Sequence, residues 1–521
     1  MGLPGWLEPL PDAAQQRGLD EWAIGQLGMP GVDLMERAGA GLAEASASAS
    51  SGPIVVVCGG GNNGGDGLVA ARLLREQGRE TSVLLLGDPD QLRGDARTNL
   101  ERLPGAPPEP FDSSRLEGVG CIVDAILGTG FLGTAREPVA GAIAAINETA
   151  AIVVACDVPS GVDASTGEAS GPAVIADRTV TFHAAKPGLW IRPGKPHAGT
   201  VTIVDIGIPH GRGPVKPNTG LIRPEVTAQI PHRGSGSNKF TAGSVLVCGG
   251  SHGLTGAPAM AALAAARAGA GYVTIAASAS VVPALQAKLL EVMVAELPET
   301  DEGAGPQVQE ALARAERVDS VVLGPGLGRE ERARTFARAV LNKAPRPLVL
   351  DADGLGAIAG ELELVGLREQ PTVLTPHTGE LARLLESDSD AIDSRRLESA
   401  REAANRSRAI VVLKGDDTIV AEPGGRVAIS PGGAPALATA GTGDVLAGVL
   451  GAFLAKGMEP FTAACAAVHV HLRGGQLAAR AVGGIDGVIA GDVIAQLPRA
   501  LAEPSGPSGL RAPAEPSGPS G

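Results

Sequence analysis

Aromatic residues are nearly missing from this 521-residue chain, which has seven Phe, three Trp and one Tyr. Its cores must be built from Ala, Val, Leu and Ile, and stacking of a ligand ring on aromatic side chains is open at few positions. Cysteine is also scarce, with five residues and no CxxC pair. Cys58, Cys121, Cys156 and Cys248 fall at or beside apolar strand-like runs, and Cys465 lies in an Ala-rich helical pattern. That usage argues against a disulfide framework or a thiolate zinc centre and suits small buried hydrophobes in a reducing compartment. No Lys/Arg cluster offsets the formal net charge of −14. Nucleic acid and anionic membrane are therefore poor partners, and an anionic ligand must be held locally by backbone amides and single basic side chains. Uniformly apolar runs of spanning length are absent too: the windows Leu254 to Val282 and Ala434 to Ala455 are rich in Ala and Gly and carry Arg267 or Asp444, so they read as close-packed internal helices. The start, MGLPGWLEPLPDAAQQ, has neither a basic nor an apolar leader region, which makes a cytoplasmic location the expectation.

What is present is strand-helix alternation, twice over. At this length two domains of roughly 200 to 280 residues are expected. After a helix over Gly31 to Ala45 and a spacer SASASSGP, the runs IVVVC, TSVLLLG, CIVDAIL, AIVVACDV, TVTFHA and TVTIVDIG alternate with helical patterns up to Ile208. From about Pro209 to Gly236 the chain turns rich in Pro, Gly and basic residues, and the alternation then restarts with SVLVCGG and continues through YVTIAAS, SVVLGPGLG, PLVLDADGL, TVLTPHTGEL and AIVVLKGDD. The expectation is an α/β protein of two three-layer α/β/α domains, residues 1–210 and 237–501, with a linker at 211–236 and a low-complexity tail at 502–521 that repeats EPSGPSG. Ligands of such sheets bind at the carboxyl ends of strands, where the unusual loops of both halves fall.

Residues 440–448, AGTGDVLAG, constrain the chemistry most. A glycine-rich turn opening an apolar helix offers free N–H groups and a positive dipole end to a phosphoryl group, with Asp444 in the first turn; the same pattern also suits an ordinary helix cap. KGDDT, Lys414 to Thr418, lies upstream, before a hairpin pattern IVAEPGGRVAIS. GPGLG (324–328), DADGL (351–355), TPHTGE (375–380), KGDDT and AGTGD follow one another in a single domain, and in this order they resemble the ribokinase-like family, specifically its ADP- or ATP-dependent NAD(P)H-hydrate dehydratases. The resemblance implies that Lys414, Gly415, Asp416, Asp417, Thr418 and Gly443 bind the nucleotide, that Asp444 is the base activating the substrate hydroxyl, and that Gly326, His377 and Ala257 contact the hydrated nicotinamide nucleotide. Magnesium would accompany the ADP or ATP. His377 also suits a plain turn residue, and Asp351 and Asp353 suit helix caps. His469 and His471, two residues apart in a helical run, point to different faces and do not suggest a metal site.

In the N-terminal half, GGGNNGGDG (59–67) joins a strand to a helix where a tight turn lets backbone approach a phosphate. With LMERAG (34–39), VDAILGTGFLGT (123–134), DVPSGVDASTG (157–167) and TFHAAKPGL (181–189), it resembles the NAD(P)H-hydrate epimerase domain over residues 15 to 210. The resemblance implies substrate contacts from Asn62, Asn63, Gly64, Gly65 and Asp66, from Gly128, Thr129, Gly130, Phe131, Leu132, Gly133 and Thr134, and from Asp157. It places Asn63, Asp124 and Ser160 around a potassium ion, an oxygen-only donor set suited to a hard, weakly held cation. Asp157 is the candidate acid/base, its alternative being an Asx turn. Lys186 either meets a phosphate or pairs with a surface acid, and Gly60 stands where many relatives carry a basic residue.

The two resemblances together imply a bifunctional metabolite-repair enzyme that epimerises R and S hydrates of NADH and NADPH and dehydrates the S form, and its Ala-rich helices make a homo-oligomer the expectation. The competing reading is a small-molecule kinase of a vitamin precursor fused to a non-catalytic binding module.

Overall fold

A computed structural model describes residues 2–299 and 304–502; the expected tail lies almost wholly outside the described residues. Eight strands come first in the chain: β1 (Leu7–Pro9), β2 (Ile54–Cys58), β3 (Thr81–Leu85), β4 (Glu109–Pro110), β5 (Cys121–Ala125), β6 (Ile152–Cys156), β7 (Arg178–Phe182) and β8 (Thr200–Val204). All but β1 form a seven-stranded sheet in the order β4-β3-β2-β5-β6-β7-β8, and its pairs are parallel. Unbroken apolar runs such as IVVVC are required because both faces are covered, and every residue of β2 and β5 is buried. The order reverses between β2 and β5, so a Rossmann-like crevice opens outside their carboxyl ends.

Three helices frame that crevice: α1 (Ala13–Gly25), α2 (Gly31–Ala49) and α3 (Asn62–Glu76). Asp12 and Gln15 close a reciprocal capping box at the start of α1. The helix expected to stop near Ala45 runs on to Ala49. The Ser/Ala spacer continues it, and Ser46, fully buried, satisfies its hydroxyl by donating to Leu42 O at 2.7 Å.

The remaining strands are β9 (Thr219–Ile222), β10 (Ser244–Cys248), β11 (Tyr272–Ser278), β12 (Met293–Leu297), β13 (Ser320–Leu323), β14 (Leu348–Leu350), β15 (Thr372–Leu374), β16 (Ile410–Leu413), β17 (Ile419–Ala421) and β18 (Val427–Ile429). The chain forms two compact units, and their boundary differs from the linear division expected of the sequence. One unit takes the chain up to Leu221 together with Ala359–Glu363 and Pro376–Pro431; the other takes Ile222–Ile358, Leu364–Thr375 and the chain from Gly432 onward. The reason lies in the stretch 211–236, which is not only a linker: its β9 pairs with β18, Thr219 opposite Val427. In the first unit the neighbours run β1-β9-β18-β17-β16, with β17 and β18 the antiparallel hairpin expected of IVAEPGGRVAIS. In the second they run β15-β14-β13-β10-β11-β12, all parallel, reversing between β10 and β13 as a ribokinase-like α/β sheet does. All five cysteines are free and buried, and burial pushes the thiols of Cys58, Cys121 and Cys248 up to about 12. Among the described residues no helix is long and apolar enough to cross a membrane.

Candidate active sites

A cavity of about 730 Å³ fills the crevice between β2 and β5. Its wall comprises the turn Gly60–Asn63 and Asp66 of α3, the loop Ile126–Leu132 after β5, Asp157 after β6, and Lys186 in the turn after β7. A stripe of α1 completes it: Ala13, Gln16, Arg17, Asp20 and Ile24 follow helical spacing and so share one face. The glycines of the first turn are dictated by backbone contact, since a Cβ on Gly64 would lie 1.9 Å from Gly59 O and one on Gly59 would lie 2.1 Å from Ile126 O. Of the expected substrate contacts, Asn62, Asn63, Asp66, Gly128, Thr129, Gly130, Phe131, Leu132 and Asp157 meet in this cavity. Gly64 and Gly65 lie beneath it, against Gly59 and Met35, while Gly133 and Thr134 continue the loop away from the wall, where Thr134 bonds Ser170 O at 3.4 Å.

Register brings the acid/base candidate to its partners. Cys156 pairs with Val180, so Asp157 falls beside Thr181, and it turns there with a left-handed φ of 66°. Such a backbone in a non-glycine residue costs about 1–3 kcal/mol and persists only where its surroundings enforce it. Thr181 Oγ1 donates to Asp157 Oδ1 at 2.9 Å, and the buried Lys186 ammonium reaches the same oxygen at 2.5 Å. Lys186 is thus neither a surface pair nor open to a phosphate, a distinction that only β6-β7 register reveals. Two other acids on the wall differ from it. Burial, reinforced by the negative charge of Asp157 and Asp20, raises the Asp66 carboxyl well above the ordinary range; burial likewise raises Asp20, opposed by a hydrogen bond from Gln16.

Behind the cavity, Asn63, Asp124 and Ser160 gather around Leu127. Asn63 Nδ2 donates to Leu127 O at 2.9 Å, Leu127 N donates to Ser160 Oγ at 2.8 Å, and Ser160 Oγ donates to Asp124 Oδ1 at 2.6 Å. Asp124 is fully buried and bonded to neutral donors, Ser160 N, Ser160 Oγ and Ile126 N; burial raises it to about 6. A buried carboxylate among neutral oxygen and nitrogen groups fits a monovalent cation. Among the described residues no group of three or more His, Cys, Asp or Glu could hold a metal ion.

Gly326, Ala257, Gly443 and Asp444 all belong to the second unit. Gly326 (φ 66°) sits against Leu254, just before the helix Gly256–Arg267 that carries Ala257, and Gly250 N donates to Gly326 O at 3.1 Å. Asp353, passed over in the sequence, holds this loop by accepting from Gly328 N at 2.9 Å, and Asp351 accepts from Thr375 at 2.7 Å. Asp444 is half-buried in the first turn of the helix Thr442–Ala455, whose Gly441 cap (φ 89°) offers no side-chain hydrogen bond. Thr442 N, the first amide of the helix, donates to Thr439 O at 3.4 Å. This helix lies close to Gly256–Arg267, because a Cβ on Gly448 would lie 2.0 Å from Ala261 O.

His377 and Lys414–Thr418 belong to the first unit. His377 caps the helix Thr378–Leu385: its Nδ1 accepts from Gly379 N at 3.0 Å and Glu380 N at 3.3 Å, which fixes the neutral tautomer with hydrogen on Nε2. In the KGDDT loop both acids are paired, Asp417 in the interior and Asp416 at the surface. Asp417 is fully buried, accepting from Arg396 Nε at 2.9 Å and from Arg192 N at 2.8 Å, while Asp416 pairs with Lys195 at 2.5 Å. Arg396, itself 3% exposed, carries no motif that sequence reasoning could have picked out. Asp417→Ala would leave buried Arg396 Nε and Arg192 N without their acceptor while Arg396 keeps its pair with Asp393 at 3.1 Å, and should lower stability by about 1–3 kcal/mol, measured as a shift in the urea midpoint of unfolding.

A Rossmann-like sheet with a carboxylate and an ammonium in its crevice, followed by a ribokinase-like sheet with an uncapped glycine-rich helix start, defines a two-part α/β enzyme. Comparison with known proteins gives the particular family. The family model described as NAD(P)H-hydrate dehydratase matches residues 245–499, and that of the YjeF-related protein N-terminus matches residues 31–188. The bifunctional NAD(P)H-hydrate repair enzyme of Salinibacter ruber is 40% identical over 96% of this chain and 97% of its own length; that of Moorella thermoacetica is 39% identical over 94% and 96%. A solved ADP/ATP-dependent NAD(P)H-hydrate dehydratase from Bacillus subtilis, crystallised with ATP and magnesium, is 29% identical, covers 54% of this chain and 96% of its own, and superposes with a TM-score of 0.46. The chain belongs to the family of bifunctional NAD(P)H-hydrate repair enzymes.

Proposed function

We propose that the Rossmann-like part interconverts the R and S hydrates of NADH and NADPH, and that the ribokinase-like part returns the S hydrate to the working cofactor at the expense of ADP or ATP. The observation that carries this reading is Asp157, the carboxylate fixed by Lys186 and Thr181 on the wall of the crevice cavity, in a chain similar to the repair enzymes along nearly its whole length. In epimerisation the ring hydroxyl takes a proton and leaves as water, the ring nitrogen lone pair forming a C=N bond. Water then adds to the other face and gives up one proton, so protons and oxygen balance. Asp157 gives and takes that proton. The test is to supply R hydrate alone without nucleotide and resolve the epimers with time; no S form above the uncatalysed rate would refute the epimerase assignment.

For dehydration, Asp444 takes the proton of the ring hydroxyl as that oxygen attacks the terminal phosphoryl group. The amides of Ala440 to Gly443, at a helix start without a side-chain cap, receive the developing charge. The nucleotide leaves with one phosphate fewer, phosphate is then expelled as the nitrogen lone pair forms a C=N bond, and loss of a proton from the adjacent ring carbon to water restores the dihydropyridine. The resemblance assigns Lys414, Gly415, Asp416, Thr418 and Gly443 to the nucleotide and Gly326, His377 and Ala257 to the hydrate, whereas Asp417, fully buried on Arg396 and Arg192 N, holds its loop instead. Magnesium would supply charge neutralisation at the nucleotide phosphates.

Asn63, Asp124 and Ser160 are assigned to potassium, which would supply a fixed positive charge below the cavity. Asp124→Asn should reduce the response of epimerisation to added potassium at least several-fold while dehydration of pure S hydrate stays at the wild-type rate. The cavity wall has two cations, Lys186 and Arg17, and Lys186 is engaged by protein acceptors. Arg17, without an acidic partner among the described residues, is assigned to a substrate phosphate and takes over the charge that Gly60 lacks. Arg17→Ala should raise the epimerisation KM about tenfold, the scale of one charged hydrogen bond, with kcat nearly unchanged in initial-rate measurements.

A further inference from the structure

Lys186 lies on the cavity wall yet is 1% exposed. An ammonium has three protons to donate, and here all three have acceptors: Asp157 Oδ1 at 2.5 Å, Thr181 Oγ1 at 2.9 Å and Phe182 O at 3.1 Å. Binding a phosphate would require breaking one of these bonds. Thr181, having accepted from Lys186, can place its own proton only outward, and it donates to Asp157 Oδ1 at 2.9 Å. Oδ1 therefore receives two donors, whereas no hydrogen bond reaches Oδ2 among the described residues. The backbone completes the clamp, since Asp157 N donates to Val180 O at 2.7 Å and φ is 66°.

From this geometry we infer that Lys186 is the positioning residue of the epimerisation site: with Thr181 it fixes Oδ1 of Asp157 and leaves Oδ2 as the atom that exchanges the proton with the substrate. The inference rests on the epimerase reading and deepens it. Lys186 acts through Asp157 and touches no reacting atom. It is the one cation bonded to Asp157 among the described residues, on a wall that also carries the acids Asp66 of α3 and Asp20 of α1.

The test uses the full chain carrying Lys186→Gln or Thr181→Val, with epimerisation followed from R hydrate and dehydration of pure S hydrate as an internal check of folding. Lys186→Gln should lower kcat for epimerisation by about 10² or more, as loss of a general acid/base does, and leave KM within about twofold. Thr181→Val, which removes one neutral donor from Oδ1 and keeps the volume, should lower kcat about tenfold and keeps the inference testable if Lys186→Gln fails to fold. A raised KM with unchanged kcat would make Lys186 a substrate contact and overturn the inference. An inactive wild-type chain would instead sink the epimerase reading itself.

Discussion

Replacing Asp444 by Asn should lower dehydration of the S hydrate by about 10³-fold while epimerisation in the same preparation proceeds as before. Asn keeps the size and a side-chain oxygen at the first turn of the helix Thr442–Ala455, so the helix start and its amides survive. What it loses is the proton acceptor, and general-base loss costs about 10²–10⁴ in rate. Nucleotide affinity should hold, because the carboxylate is a burden rather than a help beside an anionic phosphate. The check is a single-turnover assay with pure S hydrate, magnesium and saturating nucleotide. A variant that still dehydrates at more than a tenth of the wild-type rate would remove Asp444 from the base role.

Asp157→Asn should produce the converse separation, with epimerisation reduced by about 10²–10⁴ and dehydration of pure S hydrate intact. Given a mixture of epimers, the variant should consume the S form quickly and the R form only at its spontaneous rate of interconversion. The effect on folding should be small, since the amide oxygen can still accept from Thr181 and Lys186 at the positions that Asp157 Oδ1 occupies. A binding module without catalysis would be indifferent to this change, so the measurement also decides the alternative raised by the sequence.

Much of this was legible before any coordinates. The long apolar runs mark parallel strands because both faces of the sheets are covered, and the glycine-rich loops at their ends mark the crevice that holds Asn62, Asn63, Asp66 and Asp157. Short elements were not legible: β1 and β9 have three and four residues in Pro/Gly-rich surroundings, too few for a periodicity to stand out, and their pairing decides where the compact units divide. Charge pairing was equally hidden. Lys186 meets Asp157 only because β6 lies beside β7 in one register, and Asp417 is turned inward by Arg396 and Arg192, which lie 21 and 225 residues away in sequence. His377 carried two readings, and the cap it forms with Gly379 and Glu380 gives it a local structural task while fixing the tautomer it presents.

The most direct test of the whole account is recovery of NADPH from an equal mixture of its R and S hydrates, with the purified chain, magnesium, potassium and ADP or ATP, followed by dihydronicotinamide absorbance. Complete recovery of both epimers is the result expected of one chain carrying both activities. A plateau at half recovery, with the R hydrate left over, would contradict it.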